Sequence, residues 1–169
     1  MPTYVTDVQL EVATDADWPR IRAWLDDPGV IEWWGPPSQT EGAVIAAMRH
    51  TGSLVRMIHV DGAPVGYAHA FDATIWGAML PDDLPPGTYD IDLFIGEPAA
   101  RGIGVGVEAL VLLRQEVFAS TLAVAVSVFP PVSNERAVRA YEKAGFAWQS
   151  IWNDPRSGPS WFMIAGRES

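Results

Sequence analysis

At 169 residues, 49% of them apolar, the chain fits one domain (1–169) with a sizeable core and lacks the composition of a disordered segment. With no cysteine it excludes disulfides, thiolate metal sites and cysteine nucleophiles, and His50, His59 and His69 show no metal-ligand spacing, so no metal is expected. The formal net charge of −10 disfavours nucleic acid and anionic membrane and suits a cationic substrate; no apolar run reaches membrane-spanning length and Met1 leads into polar residues, so a cytoplasmic protein is expected.

Val8 to Val12 alternates apolar and polar residues and reads as a first strand. Thr14 followed by Asp17 resembles a capping box, and Trp18, Ile21, Trp24 and Leu25 recur at helical spacing until Asp26-Asp27-Pro28-Gly29 ends the helix. Val30 to Pro37 reads as a loop with two adjacent tryptophans, Trp33 and Trp34, which cannot both face one core. One is expected to pack and the other to face a cleft. A second helix is predicted from Thr40, its N-cap, to His50. Leu54 to Val60 and Val65 to Phe71 form a hairpin about Asp61-Gly62. The proline-rich, acidic stretch from Asp72 to Thr88, with Trp76, Asp82 and Asp83, reads as a long loop that is either functional or a solvated surface.

A central strand (Asp90 to Gly96) then enters a glycine-rich turn, Arg101 to Gly106, that opens into an apolar helix reaching Ser120. Glycines let backbone N–H groups approach a phosphate closely, and a helix N-terminus adds partial positive charge there. The turn lacks the Lys-Ser/Thr of a triphosphate loop, since Val107 and Glu108 follow Gly106, and its glycines alternate strictly, unlike a dinucleotide fingerprint. A diphosphate cradle relieved by Arg101 and the loop amides is one reading; a glycine-rich helix cap without ligand is the other. Leu122 to Phe129 reads as a buried strand stopped by Pro130-Pro131. Ser133 or Asn134 caps a helix through Glu142, Gly145 closes it, and Phe146 to Trp152 and Ser160 to Ala165 complete a last hairpin. The order β-α-α-β-β-β-α-β-α-β-β gives an α/β class with a mixed sheet.

The run Arg-Gly-Ile-Gly-Val-Gly (Arg101 to Gly106) resembles the acetyl-CoA pyrophosphate loop of the GNAT-superfamily N-acetyltransferases, and SNERAVRAYEKAGF (Ser133 to Phe146) resembles that superfamily's second signature. Four further runs look like the aminoglycoside 6′-N-acetyltransferases: AWLDDPGVIEWWG (Ala23 to Gly35), DGAPVGYAHAF (Asp61 to Phe71), IDL (Ile91 to Leu93) and PPVSNERAVRAYEKAGF (Pro130 to Phe146). The likeness spans roughly Leu10 to Met163. Two departures stand out: Phe129 where that family has an acid, and Arg156-Ser157 where it has an acid in the last turn, with Asp154 nearby as a substitute.

The resemblance implies a single GNAT-like domain whose mixed, mostly antiparallel sheet is flanked by helices and splays around acetyl-CoA, a co-substrate. It implies that the pantetheine pairs with the backbone of Leu93, Phe94 and Ile95, that Arg101, Gly102, Ile103, Gly104, Val105 and Gly106 grip the pyrophosphate, and that Asn134 bonds the pantetheine arm. Asp92 would hold the amine and take its proton, or only anchor it. Tyr141 would protonate the leaving sulfur. Trp34, His69, Phe71 and Asp92 would meet the acceptor. The implied activity is acetyl transfer to the 6′-amine of an aminoglycoside. Alternatives are another small amine, a polyamine or a protein N-terminus, and, from a different class, a silent acyl-CoA sensor. The chain is expected to act as a monomer or homodimer.

Overall fold

The computed structural model describes residues 7–76, 80–155 and 157–167, without the side chains of 75 and 76. Met1, Arg156 and the side chain of Trp76 therefore lie outside the described residues. Seven strands form one sheet: β1 (Val8–Val12), β2 (Leu54–Val60), β3 (Ala63–Asp72), β4 (Thr88–Ile95), β5 (Ala125–Val128), β6 (Ala147–Asp154) and β7 (Gly158–Gly166). Their spatial order is β1-β2-β3-β4-β5-β7-β6. Neighbours are antiparallel except β4 and β5, which run parallel, so the sheet is mixed and mostly antiparallel as expected.

Helices α1 (Trp18–Leu25), α2 (Pro28–Trp34) and α3 (Pro37–Arg49) cover one face, and α4 (Val105–Ser120) and α5 (Glu135–Lys143) the other. The period-2 alternation of the strands sorts their side chains between the two layers. Ile58, Ala68, Ala70, Ile91, Val126 and Met163 pack with Leu110 and Leu113 of α4, whereas Val55, Met57, Tyr67 and Phe94 pack with Ile21, Leu25 and Val44 of the first three helices.

The capping box is present: the Thr14 amide donates to Asp17 Oδ2 at 2.8 Å, ahead of α1. The segment from Val30 to Pro37, expected as a loop, is instead helix α2. Asp27 caps it, accepting from the Gly29 amide at 2.9 Å, and Pro28 occupies its first turn. An Asp-Pro-Gly run can stop one helix and start the next, because aspartate is a good N-cap and proline suits the first helical position. For the same reason α3 begins at Pro37, not after Thr40, whose hydroxyl donates back to Pro36 O. Of the two tryptophans, Trp33 is 40% exposed and Trp34, the one expected to meet the acceptor, packs against the core of this layer.

The β2–β3 turn holds Asp61 and Gly62 both at positive φ, as a two-residue hairpin requires. Between β3 and β4 the chain is not featureless: a 3-10 turn, Ala73–Trp76, starts where the Thr74 amide and hydroxyl both donate to Asp72 Oδ1. Strand β5 is shorter than predicted. Leu122 is 96% exposed, and the ladder begins only at Ala125, where β4 and β7 both come within reach. Asn134, not Ser133, caps α5, its Oδ1 accepting from the Ala137 amide at 3.2 Å.

Candidate active site

The site grows from an interruption in the sheet. Strands β4 and β5 pair only from Thr88 to Asp90, opposite Ala125 to Ser127. Beyond that point β5 leans onto β7, where the Trp161 amide donates to Pro130 O at 2.9 Å, and β4 continues alone with β3. The result is a fork open on one flank of β4 from Ile91 to Ile95.

Alternation decides which backbone groups face the fork. A methyl at Gly66 of β3 would meet Phe94 O at 2.5 Å, so the Phe94 carbonyl points toward β3. Leu93 and Ile95, one residue either side, point away from β3. This corrects the expectation for Phe94: its backbone belongs to the β3 ladder, and only Leu93 and Ile95 have groups for an incoming strand. Side chains of the protein itself hold three of those groups. The Leu93 amide donates to Asp92 Oδ1 at 2.9 Å, Leu93 O accepts from Trp34 Nε1 at 3.2 Å, and Ile95 O accepts from Arg101 Nε at 2.8 Å.

Arg101 departs from its expected role. Its guanidinium donates to Ile95 O, to Gly96 O at 3.3 Å and to Asp27 Oδ1 at 2.9 Å, and its amide bonds Pro98 O. It is a clamp from the glycine turn to the start of α2. The Asp27 carboxyl is correspondingly held below the usual carboxylate range, first by its bond to Arg101. A second guanidinium stands at the turn, with Arg136 Nη2 3.0 Å from where a Cβ on Gly102 would sit. Gly104 is the N-cap of α4 at φ 90°, a conformation that side chains rarely adopt, and the first N–H groups of a helix have no partner within it. Val105 is buried beneath this turn.

On the paired flank, His69 lies directly across from Asp92, Phe71 across from Asp90, and Tyr67 across from Phe94. These side chains share the face covered by α1 to α3. His69 and Phe71 are 7% and 5% exposed and form the floor of the site, with ring centroids 5.0 Å apart. Trp34 roofs them: its ring centroid is 5.7 Å from His69, 6.0 Å from Tyr67 and 4.9 Å from Phe94. Tyr67 was not among the expected site residues. Its hydroxyl lies 2.9 Å from His69 Nδ1, and its place two residues ahead in the same strand was the available signal.

Burial shifts the protonation of this cluster. Asp92 is pushed up to about 7 by desolvation, only partly opposed by the Leu93 amide. Desolvation lowers His69 to about 4, so its imidazole is neutral. Tyr67 is raised by desolvation and then by the field of Asp92. Tyr141, 8% exposed on α5, is raised well above the ordinary phenol by desolvation, then by Asp92 and Asp90. Tyr141 belongs to the layer of α4 and α5, on the opposite face of the sheet from His69 and Tyr67. The same cause, desolvation, raises both the Asp92 carboxyl and the Tyr141 phenol. Asn134, with Oδ1 used as the cap, has its amide NH2 for a ligand. Among the described residues no cluster could hold a metal, and no helix is long and apolar enough to cross a membrane.

Comparisons with known proteins agree with this geometry. A family profile described as "Acetyltransferase (GNAT) domain" matches residues 13–153. The aminoglycoside N(6′)-acetyltransferase type 1 of Klebsiella pneumoniae is 27% identical over 96% of this chain and 84% of its own length. A solved structure of AAC(6′)-Ib with paromomycin and acetyl-CoA superposes with a TM-score of 0.82 at 27% identity, covering 96% of this chain and 94% of that one. Another, of the same protein with coenzyme A and kanamycin, has a TM-score of 0.82 at 28% identity, covering 95% of each. With its family profile spanning most of the sequence and both signature runs set at one fork of the sheet, the chain belongs to the GNAT acetyltransferases.

Proposed function

We propose that the protein transfers an acetyl group from acetyl-CoA to the 6′-amine of an aminoglycoside. The observation that supports the reading is the fork itself: β4 parts from β5 after Asp90, carries Asp92 just beyond, and leads into the glycine turn that starts α4. The named relatives bring the aminoglycoside.

Acetyl-CoA supplies an acetyl group already activated as a thioester with a thiolate leaving group. The amides from Gly102 to Gly106 hold its pyrophosphate at the N-terminus of α4, and the pantetheine lies as an added strand on the Ile95 amide and the second lone pairs of the Leu93 and Ile95 carbonyls, which already accept from Trp34 and Arg101. A backbone N–H on this edge polarises the acetyl carbonyl. Asp92 anchors the incoming ammonium and takes one proton from it, directly or through water. The free amine nitrogen then bonds to the carbonyl carbon, the C–S bond breaks, Tyr141 gives its proton to the departing sulfur, and the second proton of the nitrogen passes through water to the Tyr141 phenolate as the neutral amide forms. Juxtaposition of the two substrates accounts for much of the acceleration, since the thioester needs little further activation.

A thiol-release assay with acetyl-CoA tests this, using kanamycin beside polyamines and amino acids. Kanamycin should be turned over, with the new amide on its 6′-nitrogen by NMR. If only non-sugar amines react, the aminoglycoside reading fails while acetyl transfer stands. A second reading, a small amine of lower charge, is favoured by Phe129, which puts an aromatic ring at the fork.

A further inference from the structure

The half of the sheet beyond the fork carries an aromatic cluster that the steps above do not use. Ser127 of β5 donates to Asp90 Oδ1 at 3.2 Å, so Ser127 and Asp90 face the same side of the sheet. Two residues further on, alternation puts Phe129 and Asp92 on that side too, now separated by the diverging strands. Phe129 is half-buried and stacks on the fully buried Phe162, with centroids 5.3 Å apart and planes at 23°. Trp152 of β6, also half-buried, leans on it at 5.2 Å and 58°. Helices α1 to α3 pack over β2, β3 and β4, and on the face that carries Trp152 the segment between β3 and β4 reaches β6 at Ser150.

Asp90 accepts from Ser127, and Asp83 accepts from the Ser150 hydroxyl at 3.3 Å. An acceptor seated between the two flanks meets Asp92 on one side and the rings of Phe129 and Trp152 on the other, with Asp154 on the same face of β6 as Trp152.

We propose that Phe129 and Trp152 are specificity-determining residues that take the apolar C–H face of the acceptor's ring, so that the preferred acceptor carries its primary amine on a ring. The proposal rests on the acetyl-transfer reading and names the acceptor class within it. Aromatic faces contribute to binding through area and shape, with little dependence on salt, whereas a polycation held by several carboxylates is released by salt.

The test measures kcat/KM with acetyl-CoA for two acceptors, kanamycin and cyclohexylmethylamine, a singly charged amine on an apolar ring. The enzymes are wild type, Phe129→Asp, Trp152→Ala and the conservative Phe129→Tyr, each checked for folding by its thermal transition. Phe129→Asp should shift the ratio of the two acceptors toward kanamycin by about tenfold and steepen the salt dependence of the kanamycin KM between about 20 and 200 mM. Trp152→Ala should lower kcat/KM for cyclohexylmethylamine about tenfold, and Phe129→Tyr should stay within about threefold of wild type. Ratios unchanged within about twofold in folded Phe129→Asp and Trp152→Ala overturn the proposal. Absence of thiol release with every amine tried refutes acetyl transfer instead. In that case calorimetric binding of cyclohexylmethylamine, equal in wild type and Phe129→Asp, overturns the aromatic wall separately.

Discussion

The two flanks of β4 differ in almost every physical respect. Toward β3 the pairing is continuous for seven residues, from Gly66 opposite Ile95 to Asp72 opposite Tyr89, and the side chains above it are buried, aromatic and shifted in protonation. Toward β5 the pairing stops after three residues, and the backbone beyond is bonded to side chains. The closed flank keeps Asp92 desolvated and so holds its proton affinity near neutrality. The open flank provides a strand edge on which an extended ligand can lie. Chemistry at the fork needs both, because a carboxylate in open water would titrate near its ordinary value and a fully paired strand would have no edge to offer.

Removing the carboxyl should break the comparison most severely. Asp92→Asn should lower kcat/KM by about 10²- to 10⁴-fold, and the rise of kcat/KM through about pH 7 in wild type should vanish. If the variant retains wild-type kcat/KM, the base lies elsewhere. Tyr141→Phe should follow, with kcat about 10²-fold lower and the acetyl-CoA KM little changed; unchanged turnover would remove its acid role.

Stability against pH sharpens the description of the closed flank. Asp92 titrates higher in the folded chain than in the unfolded one, so the native state holds the proton longer and stability falls as pH rises from about 4 to 7. His69 titrates lower when folded, so its contribution is lost as pH falls from about 6.5 to 4. The two slopes oppose each other across their shared window, and wild type should be nearly flat there. Asp92→Asn should uncover stability rising with pH, and His69→Gln stability falling with pH, each by at most about 3–4 kcal/mol in urea titrations. Parallel profiles for the two variants would contradict the burial of this pair.

The smaller effects concern the open flank. Asp27→Ala should release the Arg101 clamp and raise the acetyl-CoA KM by about three- to tenfold with kcat nearly unchanged. An unaltered KM would show that the clamp does not position the glycine turn. Trp34→Phe, which removes the bond to Leu93 O but keeps the ring, should change either KM by about threefold at most.

Much of the site was legible before folding because its signals are local. The strand before Arg101, the alternating glycines and the Asn-to-Tyr helix each announce themselves within a few residues, since cradling a phosphate and capping a helix are short-range acts. The alternation in β3 also contained Tyr67, which shares a face with His69. The misread elements were those in which one residue has two possible local roles. Asp27-Pro28-Gly29 both ends α1 and begins α2, and only the packing of Val30 and Trp34 beneath the sheet selects the helix.

The sequence alone determined the fold class and the family resemblance, because period, capping and glycine placement act over a few residues, and through that resemblance it nominated Asp92, Asn134 and Tyr141. Tertiary structure decided where the sheet splits, that Arg101 turns back onto Asp27, that Phe94 pairs inward while Leu93 and Ile95 face the fork, and that Asp92 titrates near neutrality. Each of these depends on partners tens of residues away in the chain, and desolvation in particular exists only once the layers have closed over the carboxyl.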